Sequence, residues 1–159
     1  MFPIATGGIV ISETTINVLL AVQLATSGFL FGLIAIVQAE VYPFLERFEA
    51  DKFSVLHAFH SRRITYVVAI PMVAELVISI MLVVVQSPVV NPVLAIAGLG
   101  LTIVIWISTL FVQVPLHQSL ERSHSPDLTR RLTRSNWIRT VCWAARTIIA
   151  LIMVLSVLS

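Results

Sequence analysis

Four long apolar stretches constrain this chain more than any other feature of its sequence. They cover residues 16–39, 64–85, 93–112 and 137–158, and an α-helix needs about 20 apolar residues to cross the hydrocarbon core of a bilayer. Only 11% of the 159 residues are charged, whereas about 25% is usual in a soluble domain. The sequence therefore predicts an all-α fold, an up-down-up-down bundle of four transmembrane helices that forms a single integral membrane domain over residues 1–159.

The positive charges lie on one side of this predicted bundle. Of the 10 lysines and arginines, all but Arg146 lie within residues 40–63 and 119–139, the regions of the two charged connections. The turn at residues 86–92 carries none. Because loops rich in lysine and arginine stay in the cytoplasm, we expect a protein of the bacterial cytoplasmic membrane with both termini on the non-cytoplasmic side. No lysine or arginine precedes the first apolar stretch, so we expect that stretch to be retained rather than cleaved.

Polar residues at the cytoplasmic ends of the predicted helices form a first candidate site. Histidine nitrogens and carboxylate oxygens are ligands that iron, copper and zinc use, and residues three apart on a helix have neighbouring side chains. The sequence therefore predicts a site for iron, copper or zinc, or alternatively for haem. The alternative interpretation is that the histidines beside Arg62 and Arg63 contact lipid headgroups. The predicted metal ligands are His57, His60, His117 and Glu40.

Further polar side chains at the same depth would surround that metal. The spacings of three and four residues place Asn136, Arg139 and Trp143 on one face of the fourth helix. Gln113 ends the third apolar stretch at the same predicted depth. We expect these four residues to bind substrate and to orient the metal ligands. The sequence assigns no catalytic residue.

Glu75 and Arg146 form a second candidate pair, deep in the predicted membrane. Glu75 lies about eleven residues into its apolar stretch and Arg146 about eight, so their depths differ by roughly 5 Å at 1.5 Å per residue. An ionisable group near the bilayer centre needs a partner from a neighbouring helix. The sequence therefore predicts a structural ion pair between the second and fourth helices. The alternative is a proton or substrate contact near mid-membrane.

Three segments of the chain carry a resemblance to known proteins. They are VYPFLERFEADKFSVLHAFHSRRITYVVAIPMVAEL, WISTLFVQVPLHQSL and RRLTRSNWIRTVCWAAR. These segments resemble a family of small, uncharacterised bacterial proteins with four transmembrane helices, and that resemblance implies the fold and no activity. In size and topology alone, the chain is also distantly similar to the anthrone-oxygenase-like membrane family, from which it departs around its histidines.

Two hypotheses about function arise from these features. The first is a metal-dependent oxidoreductase or oxygenase that uses a histidine-rich pocket at the cytoplasmic interface to act on a lipid-soluble substrate. The alternative is a non-catalytic accessory subunit of a larger membrane complex, with a bound pigment, haem or lipid. We expect membrane lipids as partners, together with either a homo-oligomer or a larger membrane assembly. No basic face with stacking aromatics lies outside the predicted spans, so we expect no nucleic-acid partner.

Overall fold

The four predicted helices are confirmed by a computed structural model, which describes residues 11–47, 50–85 and 87–158. Within those residues the chain forms α1 (Glu13–Leu45), α2 (Ala50–Val84), α3 (Pro92–Arg122) and α4 (Pro126–Leu158). Each helix is long and apolar enough to cross a membrane. The helices extend beyond the apolar stretches at the end where the charged connections lie. That end therefore carries helical but polar segments, where a polar site can form.

The helices begin where side-chain oxygens satisfy free backbone N–H groups. Ser12 Oγ accepts from the backbone N–H of Thr15 at 3.2 Å, and Asn91 Oδ1 accepts from the N–H of Val93 at 2.9 Å. At the start of α4, Ser125 Oγ accepts from a backbone N–H at 3.4 Å. Such caps replace hydrogen bonds that the first helical turn cannot make within the helix.

The helices form a closed ring in chain order. Each helix packs against its neighbours in sequence, and α1 also packs extensively against α4. Helices α1 and α3 therefore face each other across the centre of the bundle, as do α2 and α4. Any side-chain contact between α2 and α4 must cross that centre.

Apolar and polar layers alternate along the bundle axis. One apolar cluster lies at the end of the 85–92 turn, and another lies at the opposite end around Phe53 and Leu132. A third cluster lies between two groups of buried polar residues, one at mid-membrane and one nearer the charged connections. The residues of this separating layer are Leu30, Ile34, Met72, Ile105 and Trp143.

Helices α1 and α3 each contain one wide π-helical turn, at Val37–Val41 and Thr109–Gln113. In each turn the hydrogen bonds reach five residues back instead of four. A proline follows each turn at the second position, Pro43 in α1 and Pro115 in α3. Proline has no N–H, and its ring clashes with the carbonyl four residues earlier in a regular helix. A wider turn moves that carbonyl away, which accounts for the position of both turns.

Candidate functional site

Glu75 and Arg146 meet at the centre of the bundle, across the α2–α4 diagonal. The distance from Arg146 Nε to Glu75 Oε1 is 2.9 Å. Their exposed fractions are 1% for Arg146 and 0% for Glu75. The two residues that the sequence pairs by depth are therefore in direct contact and shielded from lipid and water.

Hydroxyl and amide groups complete the surroundings of this ion pair. Thr26 Oγ1 donates to Glu75 Oε2 at 3.0 Å, and Arg146 Nη2 donates to Ser79 Oγ at 3.2 Å. Gln23 Nε2 donates to the same serine oxygen at 3.4 Å. These partners are not predictable from the sequence, because small hydroxyl residues also occur throughout transmembrane helices without such a role.

Gly98 on α3 provides the space for the Arg146 guanidinium. A β-carbon on this glycine would lie 2.8 Å from Arg146 Nη1 and 3.0 Å from Cζ, closer than a side chain tolerates. The guanidinium therefore packs directly against a helix backbone. All four helices thus contribute to the mid-membrane polar group, through Thr26, Glu75, Gly98 and Arg146.

A cavity of about 70 Å³, here called the polar cavity, lies between the helices nearer the charged connections. Residues from all four helices line it. Its apolar walls include Ile34 and Val37 of α1 and Ile64 and Val68 of α2. The polar side chains of its lining include Tyr42, His60, Gln113, His117 and Arg139.

Arg139 is the charged residue of the polar cavity. It is 6% exposed, its Nη1 donates to Asn136 Oδ1 at 3.3 Å, and its Nε has no hydrogen-bond partner. Among the side chains of residues 11–47, 52–85 and 87–158, no acidic group forms an ion pair with it. A buried charge without an opposite charge is strongly unfavourable, so this guanidinium has capacity for an anionic partner.

Two further atoms in the lining of the polar cavity have no hydrogen-bond partner. They are His60 Nε2 and Gln113 Oε1. The other end of the Gln113 amide is fixed, because its Nε2 donates to Ser135 Oγ at 2.9 Å. Buried polar atoms in folded proteins are normally paired. The polar cavity therefore offers a donor at Arg139 and an acceptor at Gln113 to a bound molecule.

A chain of hydrogen bonds through two side-chain amides holds the Arg139 side chain in place. Asn136 accepts from Arg139 and its Nδ2 donates to Gln38 Oε1 at 3.0 Å. Gln38 Nε2 then donates to the backbone carbonyl of Thr133 at 3.2 Å. Gln38 lies in the π-helical turn of α1, so this turn fixes Asn136 and, through it, the Arg139 guanidinium.

Tyr42, His117 and His57 form a row of three hydrogen-bonding side chains beside the polar cavity. The Tyr42 hydroxyl lies 3.4 Å from His117 Nε2, and His117 Nδ1 lies 3.1 Å from His57 Nε2. Phe53 stacks on the outer face of the His57 ring, with centroids 5.4 Å apart. Two proton arrangements satisfy both contacts, and they differ by a shift of protons along the row. The row ends at His57 Nδ1, which has no hydrogen-bond partner.

The structure does not assemble the four predicted metal ligands. His57 contacts His117, and His60 shares the polar cavity with His117, but Glu40 is exposed on the outside of the bundle. Among the described residues, no three histidine, cysteine, aspartate or glutamate side chains lie close enough to hold a metal ion. Glu40 was wrongly placed because Gln38, two residues earlier, faces inward. Residues two apart on a helix point in nearly opposite directions.

The predicted substrate-binding residues divide into three groups. Gln113 and Arg139 line the polar cavity, and Asn136 supports Arg139 from behind. Trp143 lies outside the lining, in the apolar layer between the two polar groups. Tyr42 lines the cavity but was missed. The proline that follows it inside a long apolar helix is the signal that would have drawn attention to this turn.

No model of a known protein family matches the chain, and neither a curated protein nor a solved structure was found to match it. The resemblances seen in the sequence therefore stay predictions. The function proposed below rests on the geometry of the polar cavity.

Proposed function

We propose that this protein binds a lipid-soluble carboxylic acid, with the carboxylate held in the polar cavity against Arg139. The observation that carries this proposal is a buried guanidinium that borders a cavity and has no acidic partner among the described residues. Arginine binds carboxylates through two parallel N–H···O bonds, and its planar group is well suited to buried pairs. An external carboxylate would form an ion pair with Arg139, as Glu75 does with Arg146.

The size and the lining of the polar cavity support a carboxylate rather than a larger head. A water molecule takes about 30 Å³ of liquid volume, so a cavity of about 70 Å³ has room for a carboxylate and little more. A phospholipid headgroup exceeds that space. The walls formed by Ile34, Val37, Ile64 and Val68 are suited to the first carbons of an apolar chain.

The row of Tyr42, His117 and His57 suggests that binding is linked to proton transfer. Tyr42 and His117 both line the polar cavity, next to the proposed carboxylate position. A proton passed along this row would reach or leave the acid without crossing the apolar layer. We expect acid–base chemistry here rather than metal-dependent oxidation, because three metal ligands do not converge among the described residues. A cavity between the chain's own helices also favours a ligand-binding role over that of an accessory subunit.

Binding of palmitate to the purified protein in detergent tests this proposal. Displacement of a fluorescent fatty acid would report the affinity of the native chain and of Arg139→Gln. Arg134→Gln is the matched control, because Arg134 lies on the same helix and is exposed. We expect the first variant to bind palmitate about ten to a hundred times more weakly and the control to keep the native affinity. Equal affinities in the two variants, or no palmitate binding by the native chain, would contradict the proposed carboxylate site.

We also propose that the charged connections face the cytoplasm, so that the polar cavity lies near the cytoplasmic surface. The distribution of lysine and arginine supports this orientation. Reporter fusions after Ser159 and within residues 119–126 should give opposite signals. A cytoplasmic reporter signal at Ser159 would reverse the orientation.

A further inference from the structure

We infer that the hydrocarbon chain of this ligand lies in a groove between α2 and α3, and that the ligand enters sideways from the membrane interface. This inference rests on the proposed carboxylate site at Arg139. The α2–α3 groove has a volume of about 430 Å³ and opens on the outside of the bundle. Its walls come from one face of α2, at residues 58–66, and from α3, at residues 114–121.

The groove and the polar cavity adjoin each other. Both are lined by Ser61 and Thr65 of α2 and by Val114 and His117 of α3. These four shared residues therefore border both spaces. Because the cavity has room for the head of the ligand and little more, the rest of the molecule must leave it. The ligand therefore leaves through a passage between these side chains of α2 and α3, which lead into the groove.

The depth of the groove suits a molecule with an acidic head and an apolar chain. Ile64 begins the apolar stretch of α2, so the groove crosses the boundary between headgroups and hydrocarbon. Arg62 and Glu121 line the end of the groove nearer the charged connections, and Tyr66, which is 72% exposed, lines the deeper end with Val114. Arg62 and the neighbouring Arg63 together outnumber Glu121 on this surface, so it attracts an anionic head from the interface. The chain can then follow Tyr66 and Val114 into the lipid.

A second groove extends this path over the surface. It has a volume of about 740 Å³ and shares Ala58, Arg62, Tyr66 and Glu121 with the α2–α3 groove. Arg63 also lines it, with its guanidinium 5.2 Å above the ring of Phe59. An anionic amphiphile would therefore meet Arg62 and Arg63 first and Arg139 last.

Protection of an engineered cysteine tests where the chain lies. Cys142 is the single cysteine, so Cys142→Ser provides a background without thiols. Tyr66→Cys then places a thiol in the groove but outside the polar cavity. Val67→Cys is the matched control, because Val67 is the next residue, is 48% exposed and lines neither space. The rate of reaction with N-ethylmaleimide is measured with and without saturating palmitate.

We expect palmitate to slow the reaction of Tyr66→Cys at least fivefold and to change that of Val67→Cys less than twofold. Butyrate, whose short chain ends within the passage, should leave Tyr66→Cys unchanged. As a second measurement, Thr65→Trp should weaken palmitate binding at least tenfold by filling the passage, whereas Val67→Trp should not.

The outcomes separate this inference from the proposed function. If palmitate binding depends on Arg139 while Tyr66→Cys reacts equally with and without palmitate, the chain lies elsewhere and this inference is overturned. If palmitate binding does not depend on Arg139, the carboxylate site itself is wrong, and this inference is overturned with it.

Discussion

Helix α4 carries two buried arginines whose surroundings differ. Arg139 and Arg146 are seven residues apart, which is about two turns and 10 Å along one face of the helix. Arg146 contacts Glu75 and a serine hydroxyl. Arg139 contacts an amide and borders a cavity. A buried charge paired within the chain holds the helices together, whereas the unpaired charge of Arg139 is the basis of the proposed carboxylate site.

The apolar layer around Met72 and Trp143 keeps these two polar groups apart. The residues of this layer come from all four helices and are buried, as are the polar residues above and below the layer. The ion pair and the polar cavity can therefore be tested separately, because mutations at distant sites without shared partners usually have additive effects.

The largest effect is expected at the ion pair. Glu75→Gln or Arg146→Gln leaves one buried charge without its partner, which should lower the free energy of unfolding by about 3–5 kcal/mol. The double change should recover much of that loss, because no charge remains unpaired. Reversible unfolding in mixed detergent micelles measures all three variants. Additive losses in the double variant would show that the two side chains do not act as a pair.

Arg139 should show the opposite behaviour. Arg139→Gln removes a charge that has no acidic partner, so the free energy of unfolding should stay the same or increase. Palmitate binding should weaken by a factor of ten to a hundred, since a hydrogen bond to a charged group contributes about 1.5–3 kcal/mol. The double variant Glu75→Gln, Arg146→Gln should bind palmitate within twofold of the native chain. A destabilised Arg139→Gln would show that the comparison between the two arginines is wrong.

Gly98 gives a smaller effect on the side of the ion pair. Gly98→Ala places a β-carbon 2.8 Å from Arg146 Nη1, and such overpacking typically costs about 1–3 kcal/mol. Gly100→Ala is the matched control on the same helix, because no atom lies within 4 Å of its β-carbon position. The control should be neutral or slightly stabilising, since alanine favours helices more than glycine does. Equal unfolding free energies for the two variants would show that the guanidinium shifts freely.

The smallest effect is expected at Tyr42. Tyr42→Phe removes the 3.4 Å contact with His117, which should lower the free energy of unfolding by about 0.5–1.5 kcal/mol. Tyr66→Phe is the control for the free energy of unfolding, because Tyr66 is 72% exposed. Palmitate should still bind to Tyr42→Phe, but proton uptake on binding, measured by calorimetry in buffers of different ionisation enthalpy, should change. Unchanged proton uptake would show that Tyr42 takes no part in the proposed proton transfer.

Much of the fold and part of the site were predictable from local sequence. Apolar length defines four helices, and counting residues from the interface places Glu75 and Arg146 at matching depths. The same reasoning placed His57, His117, Gln113 and Arg139 at one end of the bundle, where the structure brings them together. These predictions depend only on position along a helix axis, which rises by a fixed 1.5 Å per residue.

Only the tertiary structure decided which side chains face one another. The π-helical turns before Pro43 and Pro115 rotate the residues that follow, so a regular period cannot predict the direction of Tyr42 or His117. Glu40 was misplaced for the same reason, since its angle depends on the register within such a turn. Nor does the sequence of α4 tell Arg139 from Arg146. Whether a buried charge has a partner depends on what the helix across the bundle presents at that depth. Arg146 meets Glu75 there, whereas Arg139 borders a cavity.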